Sequence, residues 1–112
     1  MNDYDQLLDE KGISLQNPGL RERALSRDDA LNAINLLVSR NVAVLGGDVY
    51  LLREGKIRLA YANWSVDRLV DESDDDYRKR SWEHASKYIR SYPNAADPAD
   101  IPIFVIVATG RH

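Results

Sequence analysis

The sequence predicts an α+β domain in which a small, mainly antiparallel sheet of about three strands carries helices on one face. Three segments repeat apolar residues at helical spacing, a central segment fits two strands around a tight turn, and the last apolar run is short and β-branched. The predicted order is α-α-β-β-α-β, with no internal repeat. Since 112 residues suffice for one hydrophobic core, we expect residues 1–112 to form a single domain.

Two helices are predicted in the first third of the chain. Acidic residues around a Leu-Leu pair favour a helix from Asp3 to Glu10, which Gly12 would end. The second helix is expected to start after Ser26, whose hydroxyl can cap a free N–H, and to run to about Arg40. Its apolar face is expected to contain Ala30, Ile34, Leu37 and Val38, with Leu31 and Ala33 at the margins.

A β-hairpin is predicted next, with the segment Arg53–Lys56 as its turn. Two glycines interrupt the first strand at Gly46-Gly47-Asp48, and a β-bulge that re-aims Asp48 is favoured there over a ligand contact. The second strand alternates between a dry and a wetter face. Its dry face is expected to hold Ile57, Leu59 and Tyr61, and its wetter face Arg58 and Ala60.

The longest helix is predicted to begin after Ser73, a second capping residue, and to end at Pro93. Trp82 is expected in the core or on the helix flank. The apolar stripe of this helix, which Trp82 and Ile89 are expected to widen, comprises Tyr77, Ser81, Ala85, Tyr88 and Tyr92. The last strand, Ile103–Ala108, is apolar on both faces, which is typical of a well-covered strand.

The charges of the chain are strongly segregated although its net charge is only −3. Residues 67–76 hold six acids and one arginine, a balance of −5, and residues 77–96 hold five basic residues and one acid, a balance of +4. Acids in the first helical turn account for two or three of the six, so the surplus suggests a surface for a cationic partner. The low net charge argues against a nucleic-acid-binding module.

The candidate partner-binding residues are the six acids of that segment and three residues near the hairpin. A Ca²⁺ loop is excluded because the acids lack the alternating spacing and central glycine of an EF-hand. A large aromatic residue in a loop can be a lid over the core edge or an interface anchor, and the sequence leaves Trp64 open between the two. The candidates are Asp48, Tyr50, Trp64, Asp67, Asp71, Glu72, Asp74, Asp75 and Asp76.

We find no catalytic set in the sequence and expect no cofactor or metal. The chain has no cysteine and only two histidines, His84 and His112, and no serine lies in a nucleophile elbow. An acidic N-terminus without a following apolar run, and no apolar stretch long enough for a membrane span, predict a cytoplasmic protein. An enzyme using Asp48 and His84, or a module that self-associates through its last strand, remain alternatives.

The order of motifs resembles the immunity protein 40 family of bacterial polymorphic toxin systems. The resemblance covers the chain from about Leu7 to Val107 and rests on the following segments: Ala24–Ala30, Val44–Tyr50, Asn63-Trp64 with Asp67, Asp76-Tyr77 with Ser81, Tyr88-Ile89, and a closing Phe-Val strand. It implies a small cytoplasmic protein that binds and blocks a cognate toxin domain encoded beside it, without catalysis. The residues further suggest that the toxin is a nuclease, whose basic cleft would accept an acidic surface.

Overall fold

The computed structural model describes residues 3–15 and 23–109, and it confirms the α+β class. The predicted turn at Asn17–Gly19 and His112 lie outside the described residues. The elements are α1 (Asp3–Lys11), β1 (Ile13–Ser14), β2 (Arg23–Ala24), α2 (Arg27–Ser39), β3 (Val44–Arg53), β4 (Lys56–Ser65), α3 (Asp74–Ser91) and β5 (Ile101–Ala108).

The main sheet has three antiparallel strands in the order β4-β3-β5. The hairpin turn is confirmed, because Arg53 pairs with Lys56 and both residues between them have positive φ, 49° at Glu54 and 79° at Gly55. Positive φ at both central residues defines the type I′ turn that suits the twist of a hairpin.

The predicted strand content is incomplete, because β1 and β2 form a second, two-stranded antiparallel sheet. Each of these strands has two residues, too few for an alternating pattern to be visible in the sequence. Leu25, directly after β2, exchanges two main-chain hydrogen bonds of 2.8 Å with Phe104 of β5. The middle of the outer edge of β5 is therefore occupied, which argues against the strand-pairing module.

Helices α2 and α3 begin where the capping serines predict. The hydroxyls of Ser26 and Ser73 accept hydrogen bonds from the main-chain N–H three residues later. The predicted stripe of α3 faces the core, with Tyr88 and Tyr92 only partly buried and Ile89, expected at its margin, fully buried. In α2, Val38 is exposed, whereas Ala33, expected at the margin, is fully buried. In α3 the buried residues are Tyr77, Ser81, Ala85 and Ile89.

One face of the sheet packs on the helices, and the predicted assignment of β4 to its faces is wrong at Leu59 and Ala60, whereas Ile57 packs against a smaller core cluster as expected and the side chain of Tyr61 lies outside the described residues. Ala60 and Ala62 pack against the main core, whereas Leu59 is 46% exposed. Small residues suffice on the helix side because aromatic side chains, Trp64, Tyr88 and Tyr92, fill that layer. The register between β3 and β4 also shifts between Val49 and Tyr50, where β4 carries two extra residues.

The last strand is covered only in its middle. Residues 102–105 are buried, so the predicted strand Ile103–Ala108 is well covered over its first half, whereas Val107 is exposed; β5 also begins two residues earlier than predicted, at the exposed Ile101. The reason is that the β1-β2 sheet is short and covers only Ile103 and Val105 on that face.

A single arginine ties the start of α2 to the end of α3. The Arg27 guanidinium donates to the carbonyls of Ile89 (2.6 Å) and Tyr92 (2.7 Å) and to the side chain of Asn94 (3.2 Å). A cation there satisfies carbonyls that a helix C-terminus leaves free.

Among the described residues, no helix is long and apolar enough to cross a membrane.

Candidate functional site

The acidic segment Asp67–Asp76, hereafter the acidic loop, connects β4 to the first turn of α3. It contains a β-turn in which the Glu72 N–H donates to the Leu69 carbonyl at 3.1 Å. Asp71, in this turn, has a φ of 63°, a conformation that aspartate tolerates better than most residues. The backbone of the loop is therefore held in a defined turn.

Glu72 holds the acidic loop to α3. Its largely buried carboxylate accepts two hydrogen bonds of 2.8 Å from Arg80 and one of 3.0 Å from the Leu69 N–H. Arg80 also donates to the Asp67 carbonyl. These hydrogen bonds, first those from Arg80 and then that from the Leu69 N–H, lower the pKa of Glu72 from its usual 4.5 to about 2. Glu72 therefore has a structural role, and its carboxylate is already occupied.

Two more acids pair with arginines. Arg68 forms an ion pair of 2.8 Å with Asp74 and lies over the Tyr77 ring, and Arg78 pairs with Asp75. Both aspartates remain exposed. Because Arg78 and Arg80 pair with acids of the loop, they can be counted with it, and its net charge then changes from −5 to −3. The start of the basic helix thus folds onto the acidic loop and neutralises part of it.

Three carboxylates of the acidic loop form no ion pair within residues 3–15 and 23–109. Asp67, Asp71 and Asp76 are all exposed. Exposed aspartates that the fold does not pair can attract a basic partner over about a Debye length, which is about 8 Å at physiological salt. They form the part of the predicted site that the fold leaves available.

Trp64 lies within β4 rather than in a loop after it, is only 7% exposed and belongs to the main core. Its ring stacks on Tyr88, with 5.2 Å between centroids, and approaches His84 at 6.1 Å. The buried indole N–H finds no acceptor among the described residues. These contacts support the interpretation of Trp64 as a lid on the core edge.

The two strand glycines make room for this tryptophan. A Cβ at Gly46 would lie 2.2 Å from the Trp64 carbonyl oxygen, and one at Gly47 would lie 2.1 Å from the Val105 carbonyl oxygen and 2.8 Å from Cζ2 of Trp64. The predicted bulge is also present, as a register shift against β5 between Val44 and Gly46. Both a bulge and a close approach therefore explain the pair.

Asp48 and Tyr50 lie on the sheet face opposite Trp64. Asp48 is paired with Asn63 and Val105, whereas the neighbouring Gly47 carries the Trp64 ring on the helix side. The Asp48 carboxylate forms no hydrogen bond or ion pair in the part of the chain that the structure describes. Asp48 nevertheless lines a shallow depression of about 250 Å³ at the sheet edge together with Leu45, Trp64 and Val107. The fold thus does not bring all nine predicted residues onto one surface.

A search of protein-family models matches residues 14–108 to immunity protein 40. The chain belongs to the immunity protein 40 family. No curated protein sequence and no solved structure shows significant similarity to it. Membership of this family indicates a role in binding a toxin protein rather than in catalysis.

The geometry of this immunity protein 40 family member gives no support to the enzyme alternative. His84 lies on α3 beside Trp64, and Asp48 lies on the other face of the sheet. A second depression, of about 400 Å³, contains neither residue, and its Arg58 is paired with Asp100 at 2.6 Å. Within the described ranges, no three His, Asp or Glu residues are grouped as a metal site.

Two apolar residues in the acidic loop were not among the predicted site residues. Leu69 is 57% exposed and Val70 is 92% exposed. Two consecutive aliphatic residues inside a strongly acidic run are the sequence signal that could have identified them. Arg80 was also missed, since only the fold shows that it clamps Glu72.

We expect Glu72→Gln to remove an acid-sensitive part of the stability. Because the folded-state pKa is lowered to about 2, the Glu72 carboxylate contributes fully above pH 4.5 and loses its contribution as the pH falls towards 2. In urea unfolding at pH 7, the free energy of unfolding should be larger for wild type than for the variant. This difference should shrink steadily as the pH falls from 4.5 to 2. Asp71→Asn, which removes an equal charge without breaking an ion pair, is the control. Equal stability of wild type and Glu72→Gln at pH 7 would contradict the structural role.

Proposed function

We propose that this chain is the immunity protein of a bacterial polymorphic toxin system, acting in the cytoplasm by binding the cognate toxin domain. The toxin surface that we propose is a cleft rich in Lys and Arg, as in a nuclease that binds phosphates. The acidic loop contacts this cleft and blocks it against substrate. Family membership supports the binding role, and the unpaired carboxylates of the acidic loop carry the proposal for the contact surface.

The charges of the acidic loop are placed to accelerate association. Asp67, Asp71 and Asp76 are exposed and unpaired among the described residues, and the side chains of Asp74 and Asp75 also stay exposed despite their arginine partners. Opposite potentials on two proteins raise the association rate by about 10-fold or more at low salt, which suits an inhibitor that must find its toxin quickly.

The proposed contact surface is smaller than the set of nine candidate residues, because four of them are buried or lie elsewhere. Trp64 and Glu72 have little surface to offer a partner, and Asp48 and Tyr50 lie across the sheet from the helix layer. We therefore place the primary contact on the exposed aspartates of the acidic loop. Asp48 and Tyr50 belong to the proposed surface only if the toxin also reaches around the sheet edge.

The test is a kinetic titration of the toxin domain encoded by the adjacent gene. Changing Asp71, Asp74, Asp75 and Asp76 to Asn should lower the association rate by about 10-fold or more at low salt and flatten its salt dependence. The control removes four other charges, at Asp3, Asp9, Glu10 and Glu54, so that the net charge is the same. An association rate that falls equally in both variants would show that net charge matters rather than the acidic loop.

A cellular assay tests the immunity role separately. Cells that express the C-terminal domain of the adjacent gene product should survive when this chain is co-expressed. Absence of both rescue and a complex between the purified proteins would refute the immunity role.

A further inference from the structure

The tip of the acidic loop carries two exposed aliphatic side chains that folding does not explain. Val70 occupies a central position of the turn and is 92% exposed, and Leu69 beside it is 57% exposed. A branched aliphatic residue in water contributes almost no hydrophobic stabilisation, because it stays hydrated after folding. Turn positions of this kind are usually occupied by polar residues, Gly or Pro.

The tip is held in place by its neighbours. The Leu69 N–H donates to Glu72 at 3.0 Å, the Leu69 carbonyl accepts from the Glu72 N–H at 3.1 Å, and Arg80 grips the Glu72 carboxylate with two hydrogen bonds of 2.8 Å. On the strand side, the Tyr77 hydroxyl donates to the Val66 carbonyl at 2.6 Å. A loop fixed before binding loses little conformational entropy on binding.

We propose that Leu69 and Val70 are the affinity anchor of this protein, entering an apolar pocket that is rimmed by Lys or Arg on the toxin domain. The inference rests on the proposed function: the carboxylates set the association rate, and the apolar tip supplies the affinity. Nanomolar binding needs about 12 kcal/mol, and exposed charges contribute more to the association rate than to affinity. With Trp64 buried in the core, the loop tip is the apolar surface best placed beside the acids to supply the difference.

The surrounding charge selects the partner. The carboxylates of Asp67 and Asp71 lie on the same loop as the tip, and that of Asp76 lies on the first turn of the helix that follows; none of the three forms an ion pair among the described residues. They complement a basic rim, and an apolar centre with a polar rim is the usual anatomy of a protein interface. The same carboxylates disfavour an anionic lipid surface and, by like-charge repulsion, a second copy of this chain docked tip to tip.

The experiment measures association and dissociation rates with the toxin domain encoded beside this gene. The double variant Leu69→Ser with Val70→Ser should raise the dissociation rate by about 30-fold or more, which is the hot-spot threshold of about 2 kcal/mol at about 1.4 kcal/mol per tenfold. Its association rate should stay within about threefold of wild type, since no charge changes. Leu59→Ser, the same substitution at an exposed leucine of β4, is the matched control and should leave both rates unchanged.

The outcomes separate this inference from the proposed function. Tight binding by wild type with an unchanged dissociation rate in the double variant would overturn the anchor and leave toxin binding intact. No complex with wild type would overturn toxin binding, and the anchor with it. A wild-type dimer in sedimentation that the double variant dissociates would assign the tip to a second copy and also overturn the inference. Urea unfolding of each variant checks that the fold is retained.

Discussion

Gly47→Ala should destabilise the domain by about 3 kcal/mol or more, because the new methyl group has no space on either side. Its Cβ would lie 2.1 Å from the main-chain oxygen of Val105 and 2.8 Å from the indole of Trp64. Gly47 lies in β3, the central strand, which is paired on both edges, so relief requires a shift of two strand pairings at once. Urea unfolding followed by circular dichroism measures the loss.

The matched control is the same substitution at Gly55 in the hairpin turn. No atom lies within 4 Å of a Cβ at Gly55, so only its φ of 79° opposes an alanine there. We expect a cost of about 1 kcal/mol for that conformation. If the two variants lose equal stability, the close approach to Trp64 and Val105 is not the reason for a glycine at position 47.

The glycine pair illustrates how far a local pattern reaches. Two glycines inside a strand indicate that something lies close to the backbone, and the sequence supports that much together with a bulge. Which group approaches depends on the pairing of β3 with β4, which sets Trp64 directly opposite Gly47. That pairing is a property of the folded hairpin, so nothing in the sequence links the two glycines to Trp64.

Several features that depend on residues within about four positions of each other were predicted correctly. The two serine caps, the two-residue hairpin turn and the apolar stripe of α3 are examples. Each follows from the local geometry of a helix end, a turn or one helix face. The three long strands of the main sheet followed from the same kind of signal, but their order β4-β3-β5 did not.

Features that depend on distant residues were missed. Arg27 binds the end of α3 more than sixty residues away, and Asp100 is buried between Arg53 and Arg58. The face of β4 was also misassigned, because Ala60 and Ala62 are as suitable as larger residues once aromatic rings pack above them. Alternation shows that two faces differ, but the tertiary packing decides which face meets the helices.

The charge segregation was visible in the sequence, but its partial cancellation was not. Six acids against one arginine suggest a uniformly acidic surface. In the fold, Arg80 takes Glu72 out of that surface and Arg78 pairs with Asp75, because one turn of α3 brings both arginines back over the loop. What remains is a smaller acidic area with a fixed apolar tip, which fits a specific interface better than general attraction to cations.

Trp64→Ala should be the most destabilising of the aromatic truncations at the core edge, with a loss of about 3 to 5 kcal/mol. The ring is buried between Tyr88 and the strand at Gly47, and alanine would leave a cavity that the rigid sheet cannot close. Trp64→Phe should lose less than about 1.5 kcal/mol, because it keeps the stacking and removes an indole N–H that has no acceptor among the described residues.

Trp82 supplies the matched control for this difference. Its indole N–H donates to the Val42 carbonyl at 2.7 Å, so Trp82→Phe gives up a hydrogen bond worth about 1 kcal/mol that Trp64→Phe does not. Equal losses for Trp64→Phe and Trp64→Ala would contradict the assignment of Trp64 to the core. Since a domain is stable by only about 5 to 15 kcal/mol, toxin binding lost in Trp64→Ala would report partial unfolding. Only a binding defect in a Trp64→Phe variant that remains folded would support a direct role of Trp64 in toxin binding.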